Sequence, residues 1–309
     1  MTGIYGAGHP RFVVDWERAT AAAEKLARID GVIGVFWGHR QRAQKFVEEE
    51  ALSAHVVWKR DPSPTPLLPT HVDGYPVDVV DIGRPTHRAG DISCLQPVLT
   101  PSGRRSTASL AVRDGSKAVV LLSGHGTLGI ENGQFSRRGA VQLIAPSGAR
   151  VEGKITKGFV GGRVDHAVGV FELRAFDRVL DHPLARTAPA PVAREVKLGQ
   201  RVTHFTCVPA GRLGPGIVHG HVRGLWLTPL RVWGAGGTTV AYTHTLFVHW
   251  SDAVPFSLAG DSGSLVVDDM GRVVGTVVAG SGDGETYVLR PHGLLDITGS
   301  EGWRTFFRD

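Results

Sequence analysis

The sequence has few cysteines and no long apolar runs. Only Cys94 and Cys207 occur in 309 residues, too few for the disulfide framework of a small secreted protein. No stretch of about 18 apolar residues predicts a transmembrane helix, and the first residues lack the apolar run of a signal peptide. We therefore expect a cytoplasmic protein without a membrane partner, in which both cysteines stay reduced.

An excess of one charge sign is also nearly absent. Lys and Arg total 34 against 29 Asp and Glu, and the resulting net charge of +5 is scattered along the chain. Because no basic stripe with interleaved aromatic residues occurs, nucleic acid is not an expected partner. The hydrophobic fraction of 42% indicates a packed globular chain. The 41 glycines and 18 prolines favour many turns, and therefore a β-rich protein.

The residue pattern changes near residue 88. Before that point, one segment has apolar residues at helical spacing, and three β-branched or alternating runs are typical of strands. Beyond it, short apolar runs alternate with Gly-rich turns, as in a barrel or sandwich. The predicted helix covers residues 15–29, and the predicted strands cover 31–38, 51–59 and 75–83. We predict a small α/β module at 1–88, followed by two β-rich halves at 89–190 and 191–309.

A serine lies between small residues in the segment PFSLAGDSGSLVVDDMGRVVGTVVAG, which covers residues 255–280. A serine hydroxyl is a poor nucleophile, and it needs a base to take its proton and donors to stabilise the oxyanion. The glycines around Ser262 permit a sharp turn, so that the N–H groups of Gly260 and Ser262 can form an oxyanion hole. The alternative is a Gly-rich β-turn in which Ser262 has no chemical role.

A histidine and an aspartate lie at the ends of two other apolar runs. His125 follows AVVLLSG and has glycines on both sides, which leave room for an imidazole in a cleft. Asp165 opens the run VDHAVGVFEL, where it can be partly buried and orient a histidine. A loop histidine and a turn-closing aspartate are the alternatives. Asp177 and Asp181 are rival acids, in a segment typical of an exposed helical turn.

The three groups occur in the order His, Asp, Ser, at intervals of 40 and 97 residues. LLSGHG, VDHAV and GDSGSLVVDD with VVGTVVAG resemble the His, Asp and Ser motifs of the chymotrypsin-like (trypsin-like) serine proteases, over about residues 92–300. The resemblance is to bacterial members without disulfides, because Gly126 stands where a cysteine follows the histidine in other members. Residues 31–84 also resemble an N-terminal module of some of these bacterial proteins.

The resemblance implies a fold and an activity. The fold is mainly β, a chymotrypsin-like double six-stranded β-barrel with a small N-terminal α/β domain. The activity is that of a serine endopeptidase acting on protein or peptide substrates, with a catalytic triad of His125, Asp165 and Ser262. The primary specificity pocket falls on a base at Phe256 and walls at Ser257, Val278, Ala279 and Gly280. An apolar base without a carboxylate argues against Arg or Lys at the cleaved position.

Two other classes of function stay open. One is a catalytically silent protease-like fold that serves as a binding module or scaffold. The other is a different serine hydrolase, such as an esterase. The nucleophile elbow of that fold requires a glycine where Ser264 stands, and its triad has a different order.

We expect neither a cofactor nor a metal ion. Several histidines lie in strand-like runs, but no acidic or thiol residue accompanies them at a diagnostic spacing. These histidines are His219, His221, His244 and His249. We expect the module at 1–88 to regulate or target the enzyme through a protein partner.

Overall fold

The computed structural model describes residues 14–42, 45–57, 68–87, 97–99, 105–128, 139–144, 150–176, 190–206, 216–234, 238–250, 255–281 and 285–308. The cysteines and the two rival acids lie outside the described residues, so the reduced state of the thiols stays a prediction. Among the described residues, no helix is long and apolar enough to cross a membrane.

The N-terminal part consists of one helix against a small mixed sheet. Its elements are α1 (Trp16–Ala27), β1 (Val32–Arg42), β2 (Lys45–Val56), β3 (His71–Val72) and β4 (Tyr75–Asp81). The Asp15 carboxylate caps α1 by accepting a hydrogen bond from the N–H of Arg18. β2 begins earlier than predicted, with Lys45 opposite Arg42 of β1, and Glu49 forms ion pairs with Arg40 and Arg42 across this hairpin.

The first barrel closes with six strands. They are β6 (Pro97–Leu99), β7 (Arg105–Asp114), β8 (Lys117–Ser123), β9 (Ala140–Ile144), β10 (Arg150–Gly161) and β11 (Val164–Glu172). Their order around the barrel is β10-β11-β8-β7-β6-β9. Val120, Leu122 and Phe171 lie in its buried core. Two short helices follow strands of this barrel, α2 (Gly124–Leu128) after β8 and α3 (Leu173–Phe176) after β11.

The second barrel forms a ring within a larger sheet. Its strands are β13 (Arg201–Thr206), β14 (Gly216–Trp226), β17 (Thr245–Trp250), β18 (Leu265–Asp268), β19 (Val273–Gly280) and β20 (Thr286–Leu289). They pair in the order β13-β14-β17-β20-β19-β18, and β18 pairs with β13 to close the ring. The predicted mainly β fold with two six-stranded barrels is therefore confirmed.

The remaining elements lie outside the two rings of strands, and Trp303 of the C-terminal helix packs in one buried cluster with Leu121 of the first barrel and Val273 of the second. These elements are β5 (Thr86–His87), β12 (Ala190–Pro191), β15 (Leu230–Trp233), β16 (Thr239–Tyr242), a 3₁₀ turn (Pro291–Gly293), α4 (Leu294–Phe306) and β21 (Phe307–Arg308). β15 and β16 form a hairpin, and β12 pairs with β21 in a separate two-stranded sheet.

The N-terminal sheet is continuous with the second barrel. β1 pairs antiparallel with β14, with Phe36 opposite Trp226 and Gly38 opposite Gly224. A Cβ at Gly38 would lie 2.5 Å from the carbonyl oxygen of Arg223, so a glycine is needed where the two strands meet. Phe36 is buried in a cluster that also contains Val278. The described strands of the N-terminal part thus share one continuous sheet with the second barrel, and independent folding of the predicted module at 1–88 stays a prediction.

Candidate active site

His125 lies in α2, immediately after β8 of the first barrel. The turn into α2 passes close to two neighbouring strands, since a Cβ at Gly124 would lie 2.5 Å from the Phe159 carbonyl oxygen and 2.9 Å from the His166 nitrogen. The backbone N–H of His125 donates a hydrogen bond of 2.8 Å to Oδ1 of Asp165. The close approach at Gly124 therefore places the histidine directly against the strand that carries the acid.

Asp165 is the second residue of β11 and is almost fully buried. Its Oδ2 lies 2.6 Å from Nδ1 of His125, so one carboxylate binds both the backbone and the ring of the histidine. The hydroxyl of Tyr242, from β16, donates to Oδ1 at 3.4 Å. Burial and the charge of Asp165 raise the pKa of Tyr242 well above its usual value, so the phenol stays protonated and acts as a donor.

Ser262 belongs to the turn between the second barrel's β17 and β18. Its Oγ lies 2.7 Å from Nε2 of His125, and both side chains are buried. The structure thus brings together all three residues of the predicted triad, in a chain of contacts from Asp165 through His125 to Ser262. This geometry allows the imidazole to accept the serine proton while the carboxylate holds the ring.

The turn before Ser262 has a defined conformation. The N–H of Asp261 donates to the Leu258 carbonyl at 3.0 Å, and Gly260 has φ 104. A positive φ at the third residue of a four-residue turn is the signature of a type II turn, which favours glycine there. The Asp261 carboxylate accepts a bond of 2.8 Å from the N–H of Leu258. Gly260 and Ser262, the two predicted oxyanion donors, lie at the third position of this turn and directly after it, and their role stays a prediction.

The first barrel supports this turn through β7. Thr107 donates from its backbone N–H to the Ser262 carbonyl at 2.8 Å and from its hydroxyl to the Gly260 carbonyl at 2.9 Å. The Ser109 hydroxyl donates to the Gly263 carbonyl. Neither Thr107 nor Ser109 was expected at the site from the sequence. The available signal is weak, since it consists only of hydroxyl residues that alternate with Ala108 and Leu110 in a strand-like run.

A second serine–histidine pair lies behind the turn. Nε2 of the buried His204 lies 2.6 Å from Oγ of Ser264, and its Nδ1 lies 2.8 Å from the Phe256 carbonyl oxygen. The Ser264 hydroxyl also lies in hydrogen-bond contact with the Asp261 carbonyl. Here Nδ1 contacts a backbone carbonyl rather than a carboxylate, so His204 has a bonding pattern unlike that of His125. The pair connects β13 to the turn that carries Ser262.

The residues predicted to form the specificity pocket are all near the second barrel's β19. Phe256 is buried in the barrel core, with its ring 5.3 Å from that of His204. The Ser257 hydroxyl lies 2.7 Å from that of Thr286. The wall residues Val278, Ala279 and Gly280 form the end of β19, and all three are buried. The role of these residues in substrate selection stays a prediction.

The other histidines have separate environments. Burial lowers the pKa of His55 to about 3 and that of His166 to about 4, the latter despite the charge of Asp165. His55 contacts the Tyr287 hydroxyl through Nδ1 at 2.7 Å. Within the described residues, no group of three or more His, Cys, Asp or Glu side chains could hold a metal ion.

The comparisons with known proteins rest on structure, because no family model and no curated protein matches the sequence. The chain is similar to a crystal structure of the Rv3671c protease in its inactive form, with 18% identity over 65% of this chain and 85% of that chain and a TM-score of 0.39. It is also similar to a crystal structure of Deg5, with 12% identity over 92% and 94% of the two chains and a TM-score of 0.34. On the strand pairing described above, the chain has the double-barrel fold of the chymotrypsin-like serine proteases.

Proposed function

We propose that this protein is a serine endopeptidase. The observation that carries the proposal is the contact chain in which Ser262 Oγ lies 2.7 Å from His125 Nε2 and His125 Nδ1 lies 2.6 Å from Asp165 Oδ2. The three residues come from both barrels. Hydrogen bonds from β7 stabilise the turn at 258–264 that carries Ser262, called the serine turn below. We also propose, from the sequence alone, that the enzyme acts in the cytoplasm.

The mechanism follows from the roles that these positions permit. Ser262 Oγ attacks the carbonyl carbon of the peptide bond while His125 Nε2 takes its proton. The N–H groups of Gly260 and Ser262 stabilise the oxyanion of the tetrahedral intermediate. His125 then gives the proton to the leaving amine, which leaves an acyl-enzyme on Ser262. Water, deprotonated by His125, hydrolyses this ester and restores the serine.

Asp165 acts by orientation and charge. It accepts the Nδ1–H bond of His125 and therefore directs the unprotonated Nε2 at Ser262, and it stabilises the imidazolium that forms. The predicted pocket at Phe256, Ser257 and the end of β19 would accept the side chain that precedes the cleaved bond. With Phe256 as its base, we propose a preference for small or apolar side chains over Arg and Lys.

The test is peptide hydrolysis by purified variants. Ser262→Ala, His125→Ala and Asp165→Asn should each lower kcat by roughly 10³-fold or more, and the losses should not add, because the three residues act as one unit. Asp268→Asn is the matched control, since it removes a carboxylate that binds Arg272 in the β18–β19 hairpin. It should keep wild-type turnover. Near-wild-type turnover in Asp165→Asn would contradict the assignment of the acid.

A further inference from the structure

β5 lies between two strand edges next to the candidate active site. The strand order there is β15-β5-β19, and within the described residues β15 and β19 do not pair with each other. On one side, His87 lies opposite Ala279 and Thr86 opposite Gly280 in an antiparallel register. On the other side, Thr86 lies opposite Trp233 of β15 in a parallel register. A segment that precedes both barrels thus pairs on one side with β19 of the second barrel and on the other side with β15.

The occupied edge of β19 leads directly to the serine turn. Val277 is bound to that turn through both of its backbone groups, since Gly263 N–H donates to the Val277 carbonyl at 2.9 Å and Val277 N–H donates to the Ser264 carbonyl at 3.0 Å. Ala279 is two residues further along β19, a distance of roughly 7 Å in a strand. Because β5 is antiparallel to β19, its chain direction runs from Gly280 towards Val277, and therefore towards Ser262.

A peptide that is cleaved at Ser262 must bring an extended backbone to this same edge. Extended peptides are commonly bound by addition to an exposed strand edge, which supplies main-chain hydrogen bonds without dependence on sequence. The edge of β19 beyond Val277 is the strand edge that adjoins the serine turn, and β5 covers it. We propose that β5 occupies the substrate backbone position, so that the chain inhibits its own peptidase activity. This inference rests on the proposed function.

The surroundings of β5 indicate how it is held. Ile82, shortly before β5, is buried in the same cluster as Leu230 of β15 and Ala279 of β19. The Trp233 N–H donates to the Pro85 carbonyl at 3.0 Å, and the Arg84 guanidinium lies 5.8 Å from the Trp233 ring centroid. The residues at 82–85, which precede β5, are therefore held in place by these contacts. β5 itself is only two residues long. Such a short strand can be displaced by a longer peptide, or withdrawn when a partner moves the N-terminal part.

The first experiment weakens β5 by proline substitution, since proline removes a backbone donor from a strand. Thr86→Pro and His87→Pro are compared with His71→Pro, which alters the two-residue edge strand β3 far along the sheet from Ser262. We expect at least one β5 variant to cleave a short peptide with kcat/KM raised about tenfold or more, and the β3 variant to match wild type. An unchanged or lower kcat/KM in both β5 variants, with normal folding, would overturn the inference.

The second experiment uses the wild-type chain and does not depend on the folding of a variant. Hydrogen exchange at Thr86 and His87 is measured after modification of Ser262 by a small fluorophosphonate or by a peptidyl phosphonate. The peptidyl reagent should accelerate exchange at both residues, because its backbone displaces β5, and the small reagent should not. Equal exchange with both reagents would refute the inference while the proposed function stands. Failure of both reagents to modify Ser262 would instead refute the proposed function.

Discussion

Gly263 lies where the turn that carries Ser262 meets β7 of the first barrel, and little space is left there for a side chain. Gly263 has φ 87, and a Cβ there would lie 2.6 Å from the Thr107 carbonyl oxygen and 3.0 Å from Ser123 Cβ. The left-handed conformation costs an ordinary residue about 1–2 kcal/mol, and overpacking against backbone costs about 1–3 kcal/mol. Gly263→Ala should therefore lower the free energy of unfolding by roughly 2–5 kcal/mol.

The same substitution should damage catalysis beyond its effect on stability. Relief of the overlap requires the serine turn to move away from β7, and a misplacement of about 1 Å costs on the order of 10²-fold in rate. We expect kcat/KM for a peptide substrate to fall by about 10²-fold, at a temperature where the variant is fully folded. Urea unfolding followed by circular dichroism supplies the stability and the folded fraction.

Gly271→Ala is the matched control for Gly263→Ala. Gly271 has φ 73, but nothing lies within 4 Å of its hypothetical Cβ. Gly271→Ala should therefore lower the free energy of unfolding only by the conformational cost of about 1–2 kcal/mol, and it should keep the wild-type kcat/KM. Equal stability losses in the two variants, with turnover retained in Gly263→Ala, would refute the view that this close contact positions Ser262.

Two further predictions concern buried polar groups. His55 and His166, with folded-state pKa values of about 3 and about 4, stay neutral in the folded protein while the unfolded chain takes up protons below about pH 6.5. The free energy of unfolding should therefore fall as the pH is lowered, by about 2 kcal/mol for each histidine between pH 7 and pH 5. Urea unfolding of His55→Gln should show a weaker pH dependence of this free energy than urea unfolding of the wild type. An equal pH dependence would contradict the prediction. Tyr242→Phe removes the hydroxyl that donates to Asp165 at 3.4 Å, and because this bond is long we expect kcat to fall by less than about tenfold. A loss as large as that of Asp165→Asn would contradict this supporting role.

The parts of the site that depend on local pattern could be predicted from the sequence. His125 and Ser262 stand among small residues beside apolar runs, Asp165 opens an apolar run, and the order of the three along the chain connects them. The residues that hold the serine turn in place, Thr107 and Ser109, act through contacts between segments that are distant in the sequence. Thr107 reaches the Gly260 carbonyl across 153 residues, and no local pattern marks that partnership.

The same limit applies to the fold. Short apolar runs between Gly-rich turns predicted the β-rich halves, and apolar residues at helical spacing predicted α1, because these features are local. The pairing of β1 with β14 joins residues about 190 positions apart, and it depends on which strand edges remain open after the second barrel has closed. The two-residue β5 is too short to give any periodicity, so its place between β15 and β19 had no signal in the sequence.

In the proposed mechanism, Ser262 is a nucleophile activated by His125 and Asp165. Reaction of the purified protein with a small fluorophosphonate, followed by mass spectrometry of the intact chain and of its peptides, tests this activation. We expect one adduct, located on Ser262, which is absent in Ser262→Ala and forms much more slowly in His125→Ala. No adduct on the folded wild-type protein, or an adduct on Ser264 beside His204, would contradict the proposed mechanism.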